Sequence, residues 1–233
     1  MLPATRALHG VNMTVTTGVE WRKGRVESLL GSVMFVVVAG LTIGVGTQIL
    51  QGLLPRNIGQ LSNSGAVWAL GAVVVGAAMR SERLAAAAGG AALVIASYSY
   101  YGAVDRFEHL GSNGTSARMW AVIGLAVGPV FGVLGQWIRV DVTRRWAALA
   151  VIAGVLIGEG AELVRFVGVH DLWPAGIAEM TIGGVIGLVS LAHSGRDRPA
   201  HLAPTDRLVT LGAGGTAAVI TLVAMHAIGG GGL

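Results

Sequence analysis

Apolar residues in this chain come in long runs, not in alternation. Seven stretches, 28–50, 64–79, 84–104, 119–138, 146–166, 172–192 and 208–228, are apolar through most of their length. Most approach the ~20 residues a helix needs to cross a bilayer. Strands of a membrane barrel would instead alternate over about ten residues, and these runs do not. The pattern predicts an all-α integral membrane bundle of about seven transmembrane helices, with 28–228 as one domain. The run at 64–79 is the shortest and leaves room for a start before Ser64. Residues 1–27 form a polar tail, too long for the n-region of a signal peptide, and 229–233 a short terminal tail.

Composition agrees with this reading. The chain has 233 residues, 53% hydrophobic and 12% charged, against roughly 25% charged in soluble domains. Its 37 glycines suit helices whose backbones approach closely. Gly40/Gly44, Gly124/Gly128/Gly132 and Gly154/Gly158 each recur four residues apart, on one helix face. Pro129, inside the fourth run, predicts a kink. Cysteine is absent, which excludes disulfides and thiolate chemistry.

The net charge of +4 does not point to nucleic acid, because the basic residues are scattered among short loops. Their distribution fits the positive-inside rule. With the N-terminus inside, Arg6, Arg22, Lys23, Arg25, Arg80, Arg83, Arg139, Arg144, Arg145, Arg196, Arg198 and Arg207 face the cytosol. Arg56, Arg106, Arg118 and Arg165 face outward, a split of twelve to four among the sixteen. The C-terminus then lies outside, in a multi-pass protein of the plasma membrane whose first partner is the lipid bilayer.

Given that orientation, the polar residues inside the spans collect at one depth, in the outer half. Gln48 and Gln51 end the first span, and Asn63, Ser64 and Trp68 open the second. Tyr98, Tyr101, Asp105 and Glu108 make one stripe on the third if its helix continues that far. Glu159 and Glu162 lie past the middle of the fifth, Glu179 about two turns into the sixth, and His226 near the outer end of the seventh. A carboxyl group in hydrocarbon is costly, so these side chains are expected to meet in a polar-lined cavity. Glu159 would carry a proton, and Glu162 would pair with Arg165 one turn on.

Several chemistries are excluded. The only lysine, Lys23, lies in the tail and offers no retinal Schiff base. No second aspartate-rich motif joins Asp105-Arg106-Phe107-Glu108 to hold magnesium for diphosphate ionisation, and HExxH and Walker motifs are absent. Glu159 and Glu162 without a neighbouring histidine make a poor transition-metal site, so no metal or cofactor is expected. Acid chemistry, proton-coupled passage of a solute and a non-catalytic membrane role remain open. In the first, Glu159 protonates an alkene or epoxide and aromatic faces stabilise the cation.

Thr47-Gln48-x-Leu50-Gln51-Gly52-x-Leu54-Pro55, with Leu61-x-Asn63-Ser64-Gly65-Ala66-Val67-Trp68, resembles the leading motif of an uncharacterised family of small multi-span bacterial membrane proteins. Gly128-Pro129-Val130-Phe131-Gly132-x-x-Gly135-x-Trp137 and Gly158-Glu159-Gly160 are similar to its later motifs. The resemblance covers most of the chain after the tail. It implies that Glu159 and the glutamine, asparagine and tryptophan set are family features, without implying an activity. In length, seven-span build and buried acids the chain also resembles membrane-bound meroterpenoid cyclases. Those are expected to carry acids near the second helix and on the last, where this chain has none.

The reading that results is a bundle binding a hydrophobic, amphipathic or prenylated small molecule. Glu159 and Glu162 would be the reactive acids, with Gln48, Gln51, Asn63, Trp68, Tyr98, Tyr101, Asp105 and Glu179 around the ligand. The orientation has a direct test. A cysteine added after Leu233 should react with a membrane-impermeant maleimide on intact cells, and one added at residue 2 should react only after lysis. The opposite pattern would invert the assignment.

Overall fold

A computed structural model describes residues 17–108, 114–165, 172–194 and 203–229, with side chains from Leu29 in the first stretch and for 208–221, 223 and 224 in the last. The first 16 residues, the tail 230–233 and the His226 side chain lie outside the described residues. The chain is all-α: α1 (Thr17–Leu53), α2 (Arg56–Ser62), α3 (Gly65–Ala77), α4 (Glu82–Glu108), α5 (Gly114–Val140), α6 (Arg145–Arg165), α7 (Trp173–His193) and α8 (Ala203–Gly229).

Six segments are long and apolar enough to cross a membrane: Leu29–Leu53, Arg56–Ala77, Glu82–Glu108, Gly114–Val140, Arg145–Arg165 and Trp173–His193. Over its described side chains α8 adds a shorter apolar stretch, Leu208–Thr221. The outer surface is correspondingly apolar. Met34, Val74, Val122, Leu188 and Leu208 are each more than 60% exposed, a surface that water would not tolerate but lipid would. Two expectations change. The helix of α1 begins at Thr17 and not near residue 28, because residues 17–27 contain no proline and include good helix formers. The second span begins at Arg56, well before Ser64, and it is broken into α2 and α3 at Asn63-Ser64.

The interior is built from small residues. Ala66, Ala69, Ala72 and Ala148 surround Val73, Leu93, Phe131 and Ile152 in the main core. A second cluster joins Ala85, Ala88 and Ala92 to Val36 and Val75. All three glycine sets read from the sequence are helix contacts. A Cβ on Gly40 would meet the Ala92 carbonyl at 2.8 Å, on Gly128 the Gly89 carbonyl at 2.6 Å, and on Gly158 the Ala218 carbonyl at 2.5 Å. Helix α5 runs unbroken through Pro129, and the proline ring sits over Gly90.

The helices form two groups. In one, α4 packs on α1, α3 and α5; in the other, α6 packs on α7 and α8. One end of the bundle carries the arginines. There Glu82 accepts from the Trp137 indole at 2.8 Å and from Arg144 at 3.2 Å, while Arg139 donates to the Met79 carbonyl. These bonds tie the α3–α4 turn to the α5–α6 turn. The opposite end carries the polar residues described next. A side chain larger than hydrogen at the α4–α5 crossing has nowhere to go. Gly128→Leu should therefore lower stability by about 1–3 kcal/mol or more, read as a lower thermal midpoint in detergent, while Gly31→Leu, which meets nothing within 4 Å, should leave it unchanged.

Candidate functional site

Breaking a helix inside an apolar bundle exposes backbone groups that no water is there to satisfy, at several kcal/mol each. The chain supplies partners from elsewhere. Ser64 caps α3, its hydroxyl accepting from the Val67 N–H at 3.3 Å. The next two amides are met by α6: Gly65 N–H donates to Glu159 Oε1 at 2.8 Å and Ala66 N–H to Oε2 at 2.5 Å. On the α2 side, Thr47 Oγ1 of α1 donates to the Ser62 carbonyl at 3.1 Å, and Ser62 Oγ to the Gly59 carbonyl at 2.6 Å. The carboxylate also faces the positive end of the α3 dipole. Glu159 is only 7% exposed, so its oxygens are satisfied by these bonds and not by solvent.

Above this junction lies a cavity of about 950 Å³ between the two helix groups, within the usual size of small-molecule sites. Helix α4 lines it from Leu93 to Glu108, about 20 Å at 1.5 Å per residue. Its character changes along that length. At the polar end Gln48 of α1 donates to Glu108 of α4, and Tyr100 donates to Gln51 at 2.8 Å. Asn63 and Glu159 join them there. Tyr100 packs edge-on against both Trp68, 5.8 Å between ring centres, and Tyr101, 5.1 Å. The other end is apolar, walled by Leu93, Phe131, Val151 and Ala217.

Helices α5 and α8 both line the cavity but are not packed on each other. Along this gap Val130 of α5 is 56% exposed and Ile220 of α8 62%. The cavity wall along this gap is apolar and thinly covered.

The structure gathers Gln48, Gln51, Asn63, Trp68, Tyr101 and Glu159 around the cavity. Tyr98 points away and is 52% exposed. Helix α4 does continue to Glu108, but Asp105 is on its exposed side and does not line the cavity. Glu162 is half-buried one turn beyond Glu159, off the cavity wall, and Glu179 lies behind Glu159, 1% exposed. Sequence reasoning missed Tyr100 and Trp120, and it named Thr47 and Ser64 without their bonds. The signal for Ser64 was present, since a serine before a run of apolar residues is a helix start. Tyr100 follows from helical phase once Ser97, Val104 and Glu108 are known to face inward. Among the described residues no three His, Cys, Asp or Glu side chains group to hold a metal.

A helical bundle of membrane type, with an internal cavity built on a broken span, is the class these features define. Residues 23–226 match the model of a family of unknown function (DUF6518), and the chain belongs to that family. No curated protein and no solved structure matches it.

Glu159→Ala strips two buried amides of their acceptor, at about 1–3 kcal/mol each. Its thermal midpoint should fall well below that of Glu159→Gln, which keeps one acceptor oxygen. Equal midpoints for the two variants would mean that the α3 amides do not depend on Glu159.

Proposed function

We propose that this protein binds a chain-like amphipathic molecule that enters from the bilayer. The observation that carries the reading is the cavity's polarity gradient together with the gap between α5 and α8 on its wall. A head group with hydrogen-bonding capacity would sit among Gln48, Gln51, Asn63 and Glu108, while its apolar tail would run past Leu93 and Phe131 toward the gap between α5 and α8. Uncharged donors and acceptors outnumber charges at the polar end, which suits a hydroxyl, amide or sugar-like head. The plasma membrane, with the polar end outward, is the setting the arginine distribution favours.

A second reading rests on the aromatic cluster. Trp68, Tyr100 and Tyr101 stand at the same end of the cavity as Glu159, an arrangement suited to stabilising a carbocation over ring faces. Under this reading the bound molecule is a prenyl chain. A proton from Glu159 adds to an alkene or epoxide, ring closure moves the cation along the chain, and loss of a C–H proton ends the sequence.

Native mass spectrometry of the protein released from membranes should show one amphipathic molecule per chain. Val130→Phe, at the gap between α5 and α8, should reduce its occupancy about tenfold, roughly 1.4 kcal/mol, without lowering the thermal midpoint. Unchanged occupancy would place the entry elsewhere, and an empty wild-type protein would overturn the binding reading. Incubating the same membranes with plain and epoxidised prenyl alcohols separates the second reading. Cyclised product from wild type but not Glu159→Gln supports it; no product removes it and leaves binding.

A further inference from the structure

Among the described residues Glu179 is the fully buried carboxyl that neither the cavity nor any hydrogen bond uses. It is 1% exposed, and both its oxygens lack a hydrogen-bond partner. Helix α7 carries it against α2, α6 and α8. The polar groups that act on it are Glu159 of α6 and Ser64 at the helix break.

Among the described residues the surrounding elements supply no compensating cation. On α2 the charged residue is Arg56, which is exposed. On α6, Glu162 follows Glu159 by one turn, and Arg165 is exposed at the helix end. Residues 208–221 of α8 contain no charge, and α7 itself has none between Trp173 and His193 other than Glu179. Two adjacent carboxylates in an apolar interior cannot both remain ionised without a positive partner. Glu159 has two amide donors and a helix N-terminus; Glu179 has neither.

The missing positive charge must also fit. Both Glu179 oxygens are closed to a water molecule. Hard metal cations gather about six oxygen ligands, whereas this junction offers two carboxyl groups and one hydroxyl. A proton needs no added room or ligands. We propose that Ser64, Glu159 and Glu179 form a proton-binding site, in which Glu179 holds one proton. Glu159 and Gly65 also line the cavity, so a change at this site reaches the cavity wall through the α3 N-terminus. Binding of the proton and occupancy of the cavity are then linked reciprocally. The inference stands whatever molecule occupies the cavity.

The test uses the full-length protein in lipid nanodiscs. Infrared spectra at neutral pH should contain the C=O stretch of a protonated carboxyl group, and Glu179→Gln should lose it. Thermal unfolding gives the second readout. The folded chain holds a proton that an unfolded glutamate lacks at neutral pH, so stability should fall as pH rises. From about pH 6 upward the wild-type unfolding equilibrium should shift up to tenfold per pH unit for as long as the folded chain keeps a proton that the unfolded chain has released. Glu179→Gln, neutral at every pH, should show no such slope; if it does not fold, Glu179→Leu takes its place. Replacing sodium by choline should change neither readout. A wild-type spectrum without the band, the same band in the variant, or stability that follows sodium and not pH would each overturn the proposal.

Discussion

The two hydrogen bonds from Gly65 and Ala66 to Glu159 are the constraint on which the polar end of the bundle depends. A span that breaks at Asn63-Ser64 leaves amides that lipid cannot satisfy, and the Glu159 carboxyl offers a separate oxygen to each of two successive N–H groups. The requirement then propagates. Glu159 must reach the break, so α6 must approach α3 closely, and α6 achieves its own neighbours through Gly154, Gly158 and Gly160, at which a Cβ would collide with α8 or α7. Thr47 ties the other side of the break to α1. A costly interruption in one helix thus fixes the relation of three others.

The same interruption explains where the cavity lies. The helix groups around α4 and around α6 meet mainly through α5, the α3 N-terminus and α2, and the space between them is left unfilled. Large side chains stand on its walls, Trp68, Tyr100, Tyr101 and Phe131 among them, without closing it. The polar residues at one end hydrogen-bond across α1 and α4, which gives the cavity a polar rim, while its far end stays apolar. Binding an amphipath follows from that gradient more directly than from any single side chain.

Much of this was legible in the sequence, and the exceptions have physical causes. Hydropathy placed α4 to α8 within a few residues, because apolar run length is what a bilayer selects. Glu159 stood out for the same reason, as a charge in hydrocarbon. The start of α1 was missed because helices need not end where apolarity does. The break at Ser64 was visible only as a short span: a serine cap and a preceding polar turn say where a helix can begin, not that two helices share one crossing. Tyr98 was grouped with Tyr101 by spacing alone, whereas the direction of the stripe depends on which face α1 and α5 cover. That Gln48 and Glu108 meet across 60 positions could not be read from local pattern at all.

The Glu82 junction at the arginine-rich end has a mechanical consequence. By joining the turn before α4 to the turn before α6, through Trp137 and Arg144, it fastens the two helix groups at their base. The hydrogen bonds from Gly65 and Ala66 to Glu159 join the same two groups near the opposite end. The groups are thus braced at both ends, like the two sides of a frame, with the cavity between the braces.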